Sequence, residues 1–522
     1  MPRLKYASVV RVVVILGLFC LWLQIMLSAS GGGMYRDGDD QVPLTANPLT
    51  EYKVTEVIVP YTEELMNSND TSEQVLALVP PELHKYLTVH PKNSSVNSTE
   101  RAVSKNLTEI RKAIQRSNEA QYIYNEDIYG PVQNDTIIIA IQVHTRLTYL
   151  RHLIVSLAQA RDIERTLLVF SHDYYNEEIN SLVRSIDFTK VMQIFYPYSI
   201  QTHPNEFPGL DPNDCPRDVK MQQAIKLKCI NALHPDLHGH YREAKYTQTK
   251  HHWWWKANRI FNQLECTTNH TGMVVFLEED HYVAEDFIYM LNLLRATADR
   301  SCPQCEIISL GTYLKTYQYH ANGDKRKKQM TLNYIQQVRM ANEERRKRQD
   351  TQWNFQVYPN LYGNTQKVDI TPWHSSMHNM GFGFNRSVWH NIMEIQEQFC
   401  AYDDYNWDYS LLHLSQNRKN QEKFKVIMSK GPRVFHIGEC GIHHKKSNCN
   451  ASSVISKVQK LLQNAKPYLF PGSVTATVTA GGAKHNKKLT KGNGGWGDIR
   501  DQELCTNMTR IGREQRRYNY YA

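Results

Sequence analysis

The sequence predicts an α/β domain built on a mainly parallel sheet, and three observations carry that reading. Short continuous apolar runs, of the kind buried on both faces of a parallel sheet, recur along the chain. Segments with apolar residues at helical spacing alternate with them, and polar clusters follow several runs directly. The chain has 522 residues, 41% hydrophobic and 22% charged, which excludes a wholly disordered protein and allows a large core. Its net charge of +9 is concentrated: Lys325 to Arg348 holds nine Lys or Arg against two Glu, and the rest is close to neutral. No helix-turn-helix, finger or RNA-binding signature accompanies that run, so it reads as a solvated loop and nucleic acid is not an expected partner.

In chain order, Arg3, Lys5 and Arg11 precede an apolar stretch from Val12 to Leu27. The reading is a cytoplasmic tail at 1–11, a signal-anchor helix at 12–29 and a luminal body, a single-pass type II arrangement. A cleaved signal peptide is the rival, but the apolar region is long for one and no small-x-small site closes it. Nine Asn-x-Ser/Thr sequons, from Asn69 to Asn507, agree with a luminal body. So do the ten cysteines, of which Cys20 lies in the apolar segment and nine remain for an oxidising compartment. Residues 30–130 are rich in Asn, Ser, Thr, Glu and Pro and read as a stem, with helical character only from Thr108 to Glu119.

The folded domain is expected over 131–522. Ile137 to Ile141 is the first strand, followed by a helical pattern from Leu147 to Asp162 and a second strand from Thr166 to Phe170. Met192 to Tyr196, Met273 to Leu277 and Glu306 to Leu310 continue the series, with a helix from Glu285 to Ala296 and a further strand from Phe424 to Ser429. In such sheets ligands sit beyond the carboxyl ends of the strands. Those positions hold Gln142, Val143, His144, Thr145 and Arg146 after the first strand, Ser171, His172 and Asp173 after the second, and Glu278, Glu279 and Asp280 after Leu277. Consecutive carboxylates at a strand end repel one another, and a hard divalent cation bridging them to a phosphate relieves the repulsion. The triplet therefore suggests a nucleotide-sugar site, although acidic triplets are also common on plain surfaces.

Three Asp interleaved with aromatics lie between Tyr402 and Tyr409, a composition suited to gripping a sugar and deprotonating its hydroxyl; a helix N-terminus with Asp caps is the bland account. His436 follows a strand-like run and can complete a cation's coordination. Gln248 to Lys256 crowds two cations, two imidazoles and three indoles into one stretch, more than core packing alone requires; the bland account is an amphipathic helix burying some of the Trp. Cys302 and Cys305 allow a redox motif or half a zinc site, with a short structural disulfide as the default reading.

Together these residues carry a family likeness. Gln142 to Arg146, Phe170 to Asp173, Pro204 to Gly209, Asp214 to Asp218, His240 to Lys245, Gln248 to Lys256, Phe276 to Tyr282, His378 to Gly381, Asp403 to Asp408 and Asn493 to Arg500 resemble the N-acetylglucosaminyltransferase II family, over residues 136 to 506. The resemblance implies a GT-A fold, residence in the Golgi membrane and Mn2+ as cofactor. It implies transfer of GlcNAc from UDP-GlcNAc to O2 of the α1,6-arm mannose of an N-glycan on a glycoprotein. It further implies that Gln142, Val143, His144, Thr145, Arg146, Asp173, Gln248, Thr249, Lys250, His251 and His252 bind the donor. Asp280 and His436 would hold the metal, and Asp408 would be the catalytic base. Bridges implied by the resemblance are Cys215–Cys229, Cys302–Cys305, Cys400–Cys505 and Cys440–Cys449, leaving Cys266 unpaired. The run at 318–360, with its basic stretch, looks like an inserted loop. Trp407 and Tyr405 are expected to shape the acceptor pocket. A related GT-A transferase with another acceptor and a non-catalytic luminal lectin or scaffold are the alternatives, and a homodimer is left open.

Overall fold

The computed structural model describes residues 76–88, 106–312, 364–418, 422–438, 451–478 and 491–520. The tail and anchor at 1–29, most of the stem, the run at 318–360, and Cys440 and Cys449 lie outside the described residues. No helix among the described residues is long and apolar enough to cross a membrane.

Helix α1 (Leu107–Ala120) and the short strand β1 (Ile123–Tyr124) precede the first long strand, β2 (Ile138–Val143). Then come α2 (Leu147–Ala158), β3 (Leu167–His172), α3 (Glu177–Arg184) and β4 (Lys190–Phe195). After a long connection follow α4 (Ala244–Asn262), β5 (Val274–Glu278), β6 (His281–Val283), α5 (Phe287–Ser301) and β7 (Cys305–Gly311). Strands β8 (Lys367–Pro372) and β9 (Met380–Phe384), α6 (Trp407–Gln416), β10 (Lys425–Ser429), β11 (Val434–His436), β12 (Thr475–Val478) and α7 (Ile499–Tyr520) follow, with further helices between them, among them Arg386–Glu394 and Ala451–Ala465.

The main sheet runs β1-β4-β3-β2-β5-β9-β7-β10-β8-β12, with β11 joining β6 to β7. It is parallel from β4 through β5, as expected of βαβ units, and antiparallel β9 is wedged between β5 and β7. Each predicted strand is present with its ends shifted by a residue or two. The continuous apolar runs are explained by helices on both faces. Ile139, Ile141 and Val143 enter a core with Leu150, Leu153 and Ile154 of α2, whereas Ile138 and Ala140 face Trp253 and Trp254 of α4. β9 went unread because Met380-Gly-Phe-Gly-Phe384 carries two glycines. The structure needs Gly381: its φ is +54° and a Cβ there would strike the Val434 side chain.

The end of the expected stem belongs to this fold. Asn106 and Glu109 form a capping box that starts α1, and Asn118 of that helix exchanges hydrogen bonds with the Phe195 backbone at 2.7 and 2.8 Å, extending the edge at β4. Further upstream, the Tyr86 hydroxyl donates to Asp187 Oδ1 at 2.6 Å. The Cys215–Cys229, Cys302–Cys305 and Cys400–Cys505 bridges are all formed, and Cys266 is unpaired, its thiol pushed up to about 11 by burial.

One buried ion pair fixes β11 against α5. Arg433 Nε and Nη2 donate to the Asp286 carboxylate at 2.9 to 3.1 Å, and Nη1 donates to Gly431 O at 2.7 Å. Replacing Arg433 by Met strands a buried carboxylate, so a loss of about 3–5 kcal/mol is expected. Chemical denaturation checks this, and adding Asp286→Leu to the same chain should recover most of the loss.

Candidate active site

β2 lies between β3 and β5 and pairs in parallel with both, so Gln142 stands opposite Ser171 on one side and Glu278 on the other. The three polar clusters therefore end at one level. His144 and Thr145 are exposed there, while Gln142 and Arg146 are half-buried.

At the β3 side, Asp173 is the hub. Its Oδ1 lies 2.6 Å from His144 Nδ1, its Oδ2 accepts from Gln248 Nε2 at 3.1 Å, and His252 Nδ1 stands 3.3 Å away. His252 Nε2 in turn meets Ser171 Oγ at 2.8 Å. Burial alone would raise the Asp173 carboxyl, but hydrogen bonds to His144 and His252 hold it well below the usual carboxylate range.

At the β5 side the acidic triplet divides its labour. Glu279 Oε1 accepts from Arg146 Nε at 2.8 Å and Oε2 from the His144 backbone N–H at 2.7 Å, so this carboxylate holds the 144–146 turn. Arg146 Nη1 also donates to Asp280 Oδ2 at 2.8 Å, and His436 Nε2 lies 3.1 Å from the same oxygen. Asp280 Oδ1 is buried with no hydrogen-bond partner. Such an orphaned acceptor is costly unless a further group completes it. Glu278, Asp280 and His281 offer ligand atoms within 4.8 Å of one another, but His281 Nδ1 accepts from the Glu278 N–H at 3.1 Å, which commits that ring. A Cβ on Gly438 would collide with Asp280 Oδ2, so glycine keeps the approach open. One carboxylate with a free oxygen, an adjacent imidazole and a clear path suit a divalent cation with phosphate oxygens as its remaining ligands. Glu278 is raised by burial and by the neighbouring Asp280 charge. Lys256, brought down to about 7 by burial, donates to Gln142 Oε1 at 2.9 Å.

The Asp cluster opens α6. Asp403 accepts from the backbone N–H groups of Leu237 and Trp496, and Asp404 from both nitrogens of Asn406 and of Asn493. Asp408 differs, with Asn379 Nδ2 on its Oδ2 at 2.9 Å and the Tyr409 N–H on its Oδ1 at 3.0 Å. Burial, the Asp404 charge and, to a smaller extent, the Glu278 charge push its carboxyl up to about 7. Trp407 does not line a pocket: it is 6% exposed and stacks on Trp253 at 4.7 Å, in the core that seats α6 on α4. Tyr405 is half-buried against Tyr246.

The residues expected to bind donor do not all face this edge. Gln142, His144, Arg146, Asp173, Gln248 and His252 converge, with exposed Thr145 beside them. The Val143 side chain lies in the core and contributes its carbonyl to the Asp173 N–H. Thr249 is half-buried; Lys250 reaches the carbonyls of Tyr402 and Asp404, and His251 pairs with Asp501 at 2.8 Å. The sequence reading placed Glu279 in the acidic triplet and Lys256 in the Gln248 to Lys256 stretch without giving either its own contact, and it gave no role to Asn379. Asn379 was signalled only by its place in the His378 to Gly381 block.

An acidic strand end with a free carboxylate oxygen, and a separate carboxyl near neutrality, suit glycosyl transfer, and the relatives of the chain are glycosyltransferases. The chain matches the family model of N-acetylglucosaminyltransferase II (MGAT2) over residues 111–348 and 354–505, and it belongs to that family. It is 40% identical to the rat alpha-1,6-mannosyl-glycoprotein 2-beta-N-acetylglucosaminyltransferase over 409 residues, covering 78% of this chain and 82% of the relative. The human protein of that name is 38% identical over 78% of this chain and 81% of its own length. The Arabidopsis thaliana one is 30% identical over 74% and 77%.

Asp408 carries its proton below about pH 7, so a step in which it accepts a proton should slow as pH falls through that value and level off above it. A profile of kcat against pH checks this; an acid limb near the ordinary carboxylate range would contradict the burial argument.

Proposed function

We propose that the chain is an inverting transferase with a GT-A domain, moving GlcNAc from UDP-GlcNAc to O2 of the α1,6-arm mannose of N-glycans in β1,2 linkage. The observation that carries the mechanism is Asp408, a carboxylate pushed up to about 7 by burial and the Asp404 charge, while Asp403 and Asp404 tie the preceding turn to Leu237, Trp496, Asn406 and Asn493. The donor is α-linked and the product β, so one displacement accounts for the inversion and one base suffices. Asp408 takes the proton from mannose O2, the O2 lone pair bonds to the sugar C1, and the C1–O bond electrons leave with the diphosphate. Asn379 keeps Asp408 Oδ2 oriented. Arg146 holds the Asp280 carboxylate in place and adds positive charge beside it. His144, Asp173 and Gln248 form a fixed polar rim where the donor's uridine or ribose can hydrogen-bond.

Asp280 and His436 are the residues that would hold Mn2+, with Asp280 Oδ1 as the free acceptor. When bound, the cation stabilises charge on the departing diphosphate. By the same reading the segment at 12–29 anchors the protein in the Golgi membrane with its catalytic domain in the lumen.

Two experiments test the reading. With UDP-GlcNAc, Mn2+ and a glycan bearing an unmodified α1,6-arm mannose, the wild-type chain should transfer GlcNAc. Asp408→Asn should lose about 10²-fold or more in rate while keeping UDP affinity by calorimetry. A chain that binds the glycan but never turns over would be a lectin. Chelation by EDTA should abolish transfer and Mn2+ restore it, and Asp280→Ala should weaken UDP binding together with turnover; full activity in chelator contradicts the metal assignment.

A further inference from the structure

The Asp408 carboxyl is placed by the start of α6, and that start hangs on the turn at 402–404. Two of the turn's carbonyls, Tyr402 O and Asp404 O, accept from one side chain, the Lys250 ammonium of α4, at 3.1 and 3.0 Å. Lys250 has no exposed surface, and its Nζ sits 4.1 Å from the Trp496 ring centroid and 5.0 Å from that of Phe399. Two carbonyls and two aromatic rings thus take up the Lys250 Nζ, and burial brings the ammonium down to about 7.

The rest of the turn is secured from other directions. Asp404 is buried and its carboxylate is filled by Asn406 and Asn493, while its carbonyl also receives Ser410 Oγ at 3.4 Å. Ser410 lies in the first turns of α6, two residues beyond Asp408. A displacement of the 404 carbonyl is therefore transmitted to the base within one helical turn. Burying an ammonium is costly unless its bonds are well made, so the arrangement depends on both carbonyls being in place.

We propose that Lys250 is a positioning residue for Asp408, acting through the 402–404 turn, and that it does not touch the donor. The inference rests on the reading of Asp408 as the base. Donor-side contacts from α4 then come from Gln248 and His252, which face Asp173, and Lys250 serves the acceptor-side chemistry from the same helix.

The test uses the full chain with Mn2+ and compares Lys250→Met, Lys250→Arg and Asp408→Asn by kcat, acceptor KM, calorimetric UDP affinity and thermal midpoint. Misplacing a base by a fraction of its reach is costly, so Lys250→Met should lower kcat about tenfold or more. UDP affinity should stay within about twofold, because only the transition state loses the contact. Lys250→Arg, which keeps the charge and the donors, should fall between Met and wild type. Should Lys250→Met fail to fold, Lys250→Arg is read alone: a lower kcat at unchanged UDP affinity supports the proposal and an unchanged kcat overturns it. UDP affinity falling in step with rate would make Lys250 a donor ligand. A lowered thermal midpoint with wild-type kcat would make it a structural clamp and nothing more. Either result overturns the proposal. Wild-type transfer by Asp408→Asn would remove the base reading and this proposal with it, whereas an inactive Asp408→Asn beside an unimpaired Lys250→Met removes only the proposal.

Discussion

The site depends on burying three consecutive carboxylates at the end of β5. Glu278, Glu279 and Asp280 cannot share a desolvated strand end without compensating charge, and Arg146 supplies it, one nitrogen on Glu279 and another on Asp280. That ion pairing also explains the 144–146 turn, whose backbone is held by Glu279, and hence the place of His144 beside Asp173. The compensation is incomplete: one oxygen of Asp280 stays unpartnered, and that incompleteness is what makes the strand end a site instead of a salt-bridged corner. Burial drives both halves of the chemistry. It leaves an acceptor unsatisfied at Asp280 and keeps Asp408 protonatable near neutrality.

Helix α4 connects those halves. Its Gln248 and His252 reach the Asp173 hub, its Lys250 reaches the turn before α6, its Lys256 reaches Gln142, and its Trp253 stacks on Trp407. Residues a few positions apart on one buried helix therefore serve the donor side, the base and the core. On the far side His251 and Trp254 join α7, through Asp501 and the Cys505 carbonyl, and the Cys400–Cys505 bridge ties the same region to the segment leading into α6.

Much of this was legible in the sequence because strands buried on both faces must be apolar throughout, so their carboxyl ends show as the point where polarity returns. Gln142 to Arg146, Asp173 and the acidic triplet were found that way, and parallel register brought them together. Three kinds of feature were not legible. β9 hides behind two glycines that serve close approaches, Gly381 to Val434 and Gly383 to Val274 and Val275. The aromatic crowd at Trp253 to Trp255 looked too dense for a core, yet all three indoles are buried, because α4 is enclosed by the sheet, α6 and α7. The three Asp at the start of α6 look alike in sequence, and only the fold separates them: Asp403 and Asp404 tie down Leu237, Trp496, Asn406 and Asn493, while burial and the Asp404 charge push Asp408 up to about 7. The stem boundary moved for a related reason: α1 has few apolar residues, and Asn118 bonds to the Phe195 carbonyl of β4 and Arg111 to the Thr202 carbonyl beyond it attach the helix to the domain.

The central claim is that the free oxygen of Asp280 is where a divalent cation and a diphosphate meet the protein. Anomalous diffraction at the manganese edge, from crystals of the chain grown with Mn2+ and UDP, measures this most directly. The account predicts one strong peak in coordinating contact with Asp280 Oδ1, with His436 turned toward it and the UDP phosphates on its open side. A peak lodged elsewhere, or UDP seated at this edge with Asp280 still bound only to Arg146 and His436, would contradict it.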